Sequence, residues 1–214
     1  MSKRFLIVLA VVILGFGGLY LVGKSNKAAA PGSTSSSNAQ PTTHLFGSGK
    51  KKVTLIEYGD YQCPACGAYY PLVKAVVEKY KDDIYLQFRN YPLVTIHQNA
   101  FAGSRAAEAA DMQGKYWEMH DLLYEQQRTW SASNSPKIYF DQYATELKLD
   151  LKKFDDDYSS STVNDRIAAD IKEGQKIGAD STPTFVLDGK KLDQNPKDQA
   201  SFEKLITDAI AAKK

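Results

Sequence analysis

The chain has 214 residues, of which 43% are hydrophobic and 24% are charged, and its formal net charge is +2. Lysines are scattered among acidic residues, which excludes the concentrated basic face of a nucleic-acid-binding protein, so we expect no nucleic-acid partner. Two cysteines are too few for the disulfide framework of a small secreted scaffold.

The N-terminal segment predicts a membrane anchor followed by a linker. Residues 5–23 carry no charge, and a helix of this length spans about 28 Å, close to the hydrocarbon core of a bilayer. Because this stretch is longer than the apolar part of a cleaved signal peptide, we expect an uncleaved single-pass transmembrane helix after a cytoplasmic N-terminus at 1–4. Residues 24–43 are rich in Ser, Ala, Thr and Pro and predict a flexible linker. Residues 44–214 then form one globular domain.

The first half of this domain has the pattern of a βαβ unit. From Val53 to Tyr58 apolar residues occupy both faces of an alternating pattern, which predicts a central strand covered on both sides. Apolar residues recur at helical spacing from Tyr69 to Tyr80, and the sequence DIYLQFRNYPL predicts a second strand. This order predicts a parallel pair of strands with a right-handed crossover.

The second half predicts a helical block followed by a ββα unit. From about 97 to 177 the sequence is helical in pattern, with Ala-rich and amphipathic stretches. The sequence PTFVLDGKKLD predicts two short strands around the turn Asp188-Gly189. Apolar residues from Phe202 to Ile210 predict a terminal amphipathic helix.

Both cysteines lie within the sequence GDYQCPACGAYY. In a helix that begins near Pro64, Cys63 lies at the N-terminal boundary and Cys66 one turn later. Free backbone N–H groups and the positive end of the helix dipole then favour the thiolate of Cys63, which is the form that attacks a disulfide. Cys66 is placed to resolve the resulting mixed disulfide by attacking Cys63.

Two other interpretations of this pair stay open from spacing alone, a zinc site and two inert core thiols. A zinc site needs two further ligands, and the only histidines are His44, His97 and His120, with no H-x-x-x-H pair among them. We therefore expect no metal site. His120 lies on an apolar helical face, so we expect a core residue there, and we assign no chemistry to His97.

The order of these elements resembles the thioredoxin fold, with a CxxC motif between strand and helix and a proline at the start of the ββα unit. The helical insertion between the two halves is similar to that of the DsbA family of disulfide oxidoreductases, in particular its membrane-anchored bacterial members. The matching sequences are VTLIEYGDYQCPACGAYYPLVK, HQNAFAGSRAAEAADMQGKYWEMHDLLYEQQ and GADSTPTFVLDGKKL. The resemblance implies an α/β thioredoxin fold with a helical insertion at about 97–177, and protein disulfide oxidoreductase activity.

The resemblance also implies roles for individual residues. Cys63 matches the family's nucleophile and Cys66 its resolving cysteine. Glu57, six residues before Cys63, matches a buried acid that accepts the proton of the resolving thiol. Thr182-Pro183 matches a loop beside the active site, in which the proline is cis and the backbone of the preceding residue pairs with bound substrate.

The active-site dipeptide Pro64-Ala65 departs from the Pro-His pair of the strongly oxidising members. A histidine at the second position stabilises the thiolate, and Ala65 offers no such contact. We expect an oxidase that introduces disulfides into secreted or surface proteins. A reductase or isomerase built on the same dithiol is the alternative within enzymes. A membrane-tethered metal-binding module that uses Cys63 and Cys66 is the alternative from another class.

The implied partners are unfolded or cysteine-containing client proteins and a membrane redox partner of the quinone-linked type. No bound cofactor is expected, because the Cys63–Cys66 disulfide is itself the redox group. We expect the protein at the cell membrane, held by its N-terminal helix, with the catalytic domain outside the cytoplasm.

Overall fold

The computed structural model describes residues 39–213. Its strands are β1 (His44–Gly47), β2 (Val53–Gly59), β3 (Ile84–Asn90), β4 (Thr184–Leu187) and β5 (Lys190–Lys191). Its helices are α1 (Pro64–Tyr80), α2 (Ala100–Asp111), α3 (Tyr116–Glu125), α4 (Gln127–Trp130), α5 (Lys137–Glu146), α6 (Leu151–Tyr158), α7 (Ser161–Lys176) and α8 (Gln199–Ala212).

The predictions for the extreme N-terminus fall outside this range. The cytoplasmic segment at 1–4, the transmembrane anchor at 5–23 and most of the linker precede the first described residue. Within 39–213 no helix has the length and apolar composition needed to cross a membrane. The anchor therefore stays a prediction.

The strands form one mixed sheet in the order β1-β3-β2-β4-β5. β2 and β3 are parallel, which confirms the predicted βαβ pair, and the other neighbours are antiparallel. β2 is the middle strand and its residues are buried or half-buried along its whole length, as expected for a strand that is covered on both faces. The thioredoxin-like α/β fold predicted from the sequence is therefore confirmed.

β1 is an edge strand that the sequence analysis did not predict. It pairs antiparallel with β3, with His44 opposite Phe88. Just before β1, Thr42 is buried, and its backbone N and Oγ1 donate to the carboxylate of Asp170 at 2.7 and 2.8 Å. The predicted linker at 24–43 thus differs from the structure at its end, where Thr42 is packed on the domain. Its partner lies 128 positions away along the chain, so no local pattern reveals the contact.

Two hydrophobic clusters support the active-site region from different sides. One lies between the sheet, α1 and α8, and it includes Val53, Val76, Phe185 and Phe202. The other joins the insertion α2–α7, which follows β3 and precedes β4, to β3 and the start of α1. It includes both cysteines with aromatic residues such as Trp130. The dithiol therefore lies where the thioredoxin-like part meets the helical insertion.

Candidate active site

Cys63 is the N-cap residue of α1, as its spacing from Pro64 predicted. Its backbone is extended, with φ −65° and ψ 121°, and Pro64 takes the first helical position, where the N–H that proline lacks has no helical partner. Cys66 lies one turn into the helix and is fully buried, whereas Cys63 keeps 6% of its surface exposed. Both are free thiols in this structure. Of the two cysteines, only Cys63 therefore keeps any exposed surface.

The surroundings of Cys63 favour its thiolate. The Cys66 thiol donates a hydrogen bond to Cys63, and this contact does most to lower the pKa of Cys63 from 9 to about 5, against the opposing effect of burial. The hydroxyl of Thr182 and the backbone N–H groups of Cys66 and Ala65 lower that pKa further. Ala65 thus contributes through its backbone, although its side chain cannot replace a histidine.

The Thr182-Pro183 loop lies directly against the nucleophile. Its peptide bond is cis, as the resemblance implied. The Sγ of the Cys63 thiol lies 3.5 Å from the carbonyl oxygen of Thr182, to which it donates. The buried Oγ1 of Thr182 has no hydrogen-bond partner among residues 39–213, so this hydroxyl is free to donate to the thiolate once the Cys63 proton has left. The loop is therefore placed to stabilise both forms of Cys63.

Cys66 and Glu57 are both protonated at neutral pH in this environment. Burial raises the pKa of Cys66 above its ordinary value, and the hydrogen bond to Cys63 and the charge of Glu57 raise it further. Glu57 is 3% exposed, because its strand places it between Phe88 of β3 and Phe185 of β4. Burial raises the pKa of Glu57 from 4.5 to about 8, and the charge of Cys63 adds to this effect.

Glu57 also borders a cavity of about 50 Å³ between α1 and α3. Lys74 and His120 line the same cavity, which is large enough to hold water. Glu57 Oε1 is buried and has no hydrogen-bond partner among the described residues. An acid in this position can take a proton from a neighbouring thiol and pass it towards solvent.

Several residues that position the site were not identified from the sequence. Asp60 is fully buried, and its carboxylate accepts hydrogen bonds from the backbone N of Gln62 at 2.7 Å and of Leu93 at 2.9 Å. His97 Nδ1 lies 2.7 Å from the same carboxylate, so it orients the turn before Cys63. An aspartate two residues before a turn amide is a known Asx-turn signal. It is the one feature of the sequence that could have indicated the role of Asp60.

His120 is a core residue, as the sequence predicted. It is 5% exposed, and its Nδ1 lies 3.0 Å from the hydroxyl of Tyr61. Burial, together with the charge of Lys74, lowers the pKa of His120 to about 3, so its ring is neutral.

One cluster within residues 39–213 has the composition of a metal site, and it does not include the cysteines. It consists of His44, Glu108 and Asp111. The guanidinium of Arg166 already lies 2.7 Å from Asp111 and 3.3 Å from Glu108, and His44 Nε2 lies 2.7 Å from Glu108. Two cationic side chains balance two carboxylates, so the group is an ion-pair network in which a further cation is disfavoured.

A dithiol at the start of a helix, beside a cis-proline loop at one end of a mixed sheet, is the arrangement of a thioredoxin-type site for thiol–disulfide exchange. The chain belongs to the thioredoxin family, because residues 39–208 match the family model described as thioredoxin.

Solved structures with this fold come from several bacteria. A thioredoxin-like oxidoreductase from Silicibacter pomeroyi DSS-3 is 25% identical, with a TM-score of 0.66, and the match covers 81% of this chain and 92% of that one. Oxidised BdbD from Bacillus subtilis is 21% identical, with a TM-score of 0.69 and coverages of 81% and 97%. Wolbachia pipientis α-DsbA1 is 19% identical, with a TM-score of 0.69 and coverages of 82% and 94%. The predicted resemblance to DsbA-like proteins is confirmed at the level of the fold, and the membrane-anchored type stays a prediction.

Curated relatives are much longer proteins. "Na(+)/H(+) antiporter NhaA 1" of Mycobacterium sp. (strain KMS) is 34% identical over 161 residues, which are 74% of this chain and 25% of that protein. "Na(+)/H(+) antiporter NhaA 3" of Salinispora tropica is 34% identical over 148 residues, which are 69% of this chain and 22% of that protein. The chain thus spans about a quarter of the length of the curated relatives that it matches.

Proposed function

We propose that the protein is an extracytoplasmic oxidase that introduces disulfides into cysteine-containing client proteins. The observation that carries this proposal is the contrast between an acidic Cys63, which keeps 6% of its surface exposed, and a fully buried Cys66 that holds its proton. A stabilised Cys63 thiolate stabilises the reduced form of the pair, and a pair with a stable reduced form is a strong oxidant. The dithiol site of this chain supports this function, and the antiporter activity in the names of the longer relatives is said of those proteins.

The reaction begins from the Cys63–Cys66 disulfide. A client thiolate attacks Sγ of Cys63, a client–Cys63 disulfide forms, and Cys66 leaves as a thiolate that takes a proton from Glu57. A second client thiolate then attacks the client sulfur of this mixed disulfide and releases the Cys63 thiolate. The client loses two electrons, and the pair gains them as a dithiol.

A membrane redox partner of the quinone-linked type then reoxidises the pair. In the opposite direction, the Cys63 thiolate attacks a client disulfide and Cys66 resolves the complex. The same atoms therefore serve a reductase or isomerase, and the reduction potential distinguishes the two directions.

The reduction potential of Cys63/Cys66 tests the direction. The full-length protein is equilibrated with defined ratios of reduced to oxidised glutathione, and the dithiol fraction is measured by alkylation. We expect a potential well above the value of about −270 mV for thioredoxin. A value near that of thioredoxin favours the reductase and refutes the oxidase. The Cys63→Ser variant is the control, and any exchange that it retains contradicts the assigned nucleophile.

We also propose that residues 5–23 anchor the protein in the membrane with the dithiol outside the cytoplasm. The apolar length of this segment supports the proposal. A membrane-impermeant thiol reagent applied to intact cells should modify Cys63 in the reduced protein, and the protein should sediment with membranes. If modification requires cell lysis, the proposed location is wrong.

Metal binding by the cysteines is the competing function from another class. Within residues 39–213 no cluster of three potential ligands includes Cys63 or Cys66. Zinc titration of the reduced protein separates the two functions. Near-stoichiometric binding together with slow disulfide exchange favours the metal module over the oxidoreductase.

A further inference from the structure

The first residue of α4 reaches from the helical insertion to the active-site turn. Gln127 Nε2 donates to the carbonyl oxygen of Tyr61 at 2.8 Å and to that of Cys63 at 2.9 Å. An amide nitrogen carries two hydrogens, so both donors of Gln127 are committed to this turn. The carbonyl of Cys63 also accepts from Gly67 N at 3.1 Å, the first hydrogen bond of α1.

The active-site helix leaves space for this side chain. A Cβ at Gly67 would lie 2.4 Å from Gln127 Oε1 and 3.0 Å from its Cδ. Gly67 directly follows Cys66, so the glycine after the CxxC motif lets the Gln127 amide lie across the first turn of α1. The two residues therefore fit each other as a pair.

Gln62, which lies between Tyr61 and Cys63, is held by residues next to α4 and α2. Gln62 Nε2 donates to the carbonyl oxygen of Ser131 at 2.8 Å, and Gln62 Oε1 accepts from the backbone N of Asn99 at 2.6 Å. α4 is itself fixed by Trp130, which is fully buried and whose Nε1 donates to the carbonyl oxygen of Leu123 at 2.8 Å. The helix that carries Gln127 is thus held to the core of the insertion by Trp130.

We propose that Gln127 is a positioning residue that holds the carbonyl groups of Tyr61 and Cys63 in place, so that the backbone N–H groups of α1 stay aimed at the Cys63 thiolate. The amide also donates to two carbonyl oxygens whose negative ends would otherwise disfavour a nearby anion. Through Gln127 the helical insertion, and not the dipeptide Pro64-Ala65 alone, sets the reactivity of the nucleophile.

The titration of Cys63 measures this effect directly. The titratable groups that face Cys63 are Cys66 from α1 and Glu57 from β2, and Thr182 faces it from the loop before β4. Because burial raises the pKa of Cys66, the ultraviolet absorbance of thiolate below neutral pH reports Cys63. The inference rests on the proposed function only in taking Cys63 as the nucleophile. The titration needs no client protein, so it still tests the role of Gln127 if the oxidase direction is refuted.

The experiment titrates full-length reduced protein as wild type, Gln127→Ala, Gln127→Glu and Gln126→Ala. In Gln127→Ala the acid dissociation constant of Cys63 should fall about two- to tenfold, the equivalent of one hydrogen bond, and the thiolate fraction and alkylation rate at pH 5 should fall with it. Gln127→Glu should fall further, because a carboxylate oxygen then faces the two carbonyl oxygens. Gln126 is exposed and adjacent, and its replacement should change nothing.

A second variant keeps the proposal falsifiable if Gln127→Ala does not fold. Gly67→Ala pushes on the Gln127 amide without removing it, and it should shift the Cys63 titration in the same direction. Thermal unfolding of each variant identifies any loss of structure. The proposal is overturned if folded Gln127 variants titrate like Gln126→Ala, or if the folded Gly67→Ala protein titrates like wild type.

Discussion

At the residue scale, Cys63 and Cys66 are three positions apart, yet their environments change their acidities in opposite directions. Cys63 receives donors from Thr182 and from the backbone of α1, whereas Cys66 is closed off from solvent and faces Glu57. The first cysteine is therefore ready to react at neutral pH, and the second needs a base before it can resolve a mixed disulfide. Glu57, whose charge acts on Cys66, is the acid–base group that we propose for this role.

The first prediction concerns the proton of Cys66. Glu57 loses its own proton at about pH 8, so the rate at which Cys66 resolves a mixed disulfide should rise through that pH. Glu57→Gln should lack this rise and should be slower at pH 9 by at least about tenfold. The measurement is stopped-flow release of a client peptide from its disulfide with Cys63. Glu78→Gln is the control, because it removes an exposed carboxylate at the rim of the cavity that Glu57 borders. Equal pH profiles for both variants would contradict the role of Glu57.

The second prediction concerns stability, and its sign follows from the same carboxyl. The folded state keeps the Glu57 proton up to about pH 8, whereas the unfolded chain releases it above its ordinary value of 4.5. The contribution of Glu57 to the free energy of unfolding therefore falls as the pH rises from 4.5 to 8, by on the order of a few kcal/mol. Urea unfolding should show Glu57→Gln gaining stability over wild type across this window. A difference that is constant from pH 5 to pH 8 would count against this assignment.

At the element scale, α1 depends on the helix that packs on it. α8 contributes Phe202 and Ile206 to the cluster that holds Val73 and Val76 of α1. Although α1 contains Pro71 in its interior, a position that removes one helical hydrogen bond, it keeps its length of 17 residues because it is buried against this neighbour. Packing here outweighs local helix propensity.

The third prediction tests how α8 begins. Asp198 caps the helix, because its carboxylate accepts from Ser201 N at 2.8 Å, and the reciprocal contact of Ser201 completes a capping box. Asp198→Ala should lower the free energy of unfolding by about 1 kcal/mol, and it should leave the titration of Cys63 unchanged. Urea denaturation measures the loss. Asp193→Ala, in the preceding loop, is the matched control, and equal losses in the two variants would show that the cap contributes nothing.

At the scale of the whole molecule, a buried polar network binds Thr42 and β1 to the helical insertion. Thr42 binds Asp170 of α7, and Asn90 Nδ2 at the end of β3 donates to Glu108 of α2 at 2.7 Å. His44 lies over Tyr116 with ring centroids 3.5 Å apart and contacts Glu108 as well. Five parts of the chain thus meet around these charges, and the chain from Thr42 onward belongs to the domain.

The fourth prediction is the pH dependence of this network. Burial opposes the charge of His44, but hydrogen bonds to Asp111 and Glu108 outweigh it and raise the pKa of His44 from 6.5 to about 9. Its stabilising contribution is therefore complete below pH 6.5 and is lost as the pH rises through 9. His44→Gln should cost about 2 kcal/mol at pH 6, and the cost should shrink by pH 10.

Denaturant unfolding at both pH values measures this difference. Lys50→Gln is the control, because its ion pair with Asp82 at 3.4 Å is exposed and should contribute less than about 1 kcal/mol. A cost of His44→Gln that is equal at pH 6 and pH 10 would refute the ionic role of His44.

The sequence by itself determined the dithiol, the start of α1, the parallel βαβ unit and the ββα ending. These features depend on signals within a few residues, such as Pro64 after Cys63, the apolar alternation of β2 and the turn Asp188-Gly189. The match to a known arrangement of the same motifs then indicated Glu57 and Thr182-Pro183.

Only the tertiary structure decided β1, the attachment of Thr42 and His44, the role of Asp60 and the contact of Gln127 with the active-site turn. Gln127 and Cys63 are 64 positions apart, and so are His44 and Glu108. Such contacts depend on how the insertion packs on the sheet, and neither a glutamine in a helix nor a histidine at the start of an edge strand carries a local sign of its partner. The pattern of the chain therefore locates the reactive sulfur, and packing between distant segments sets its chemistry.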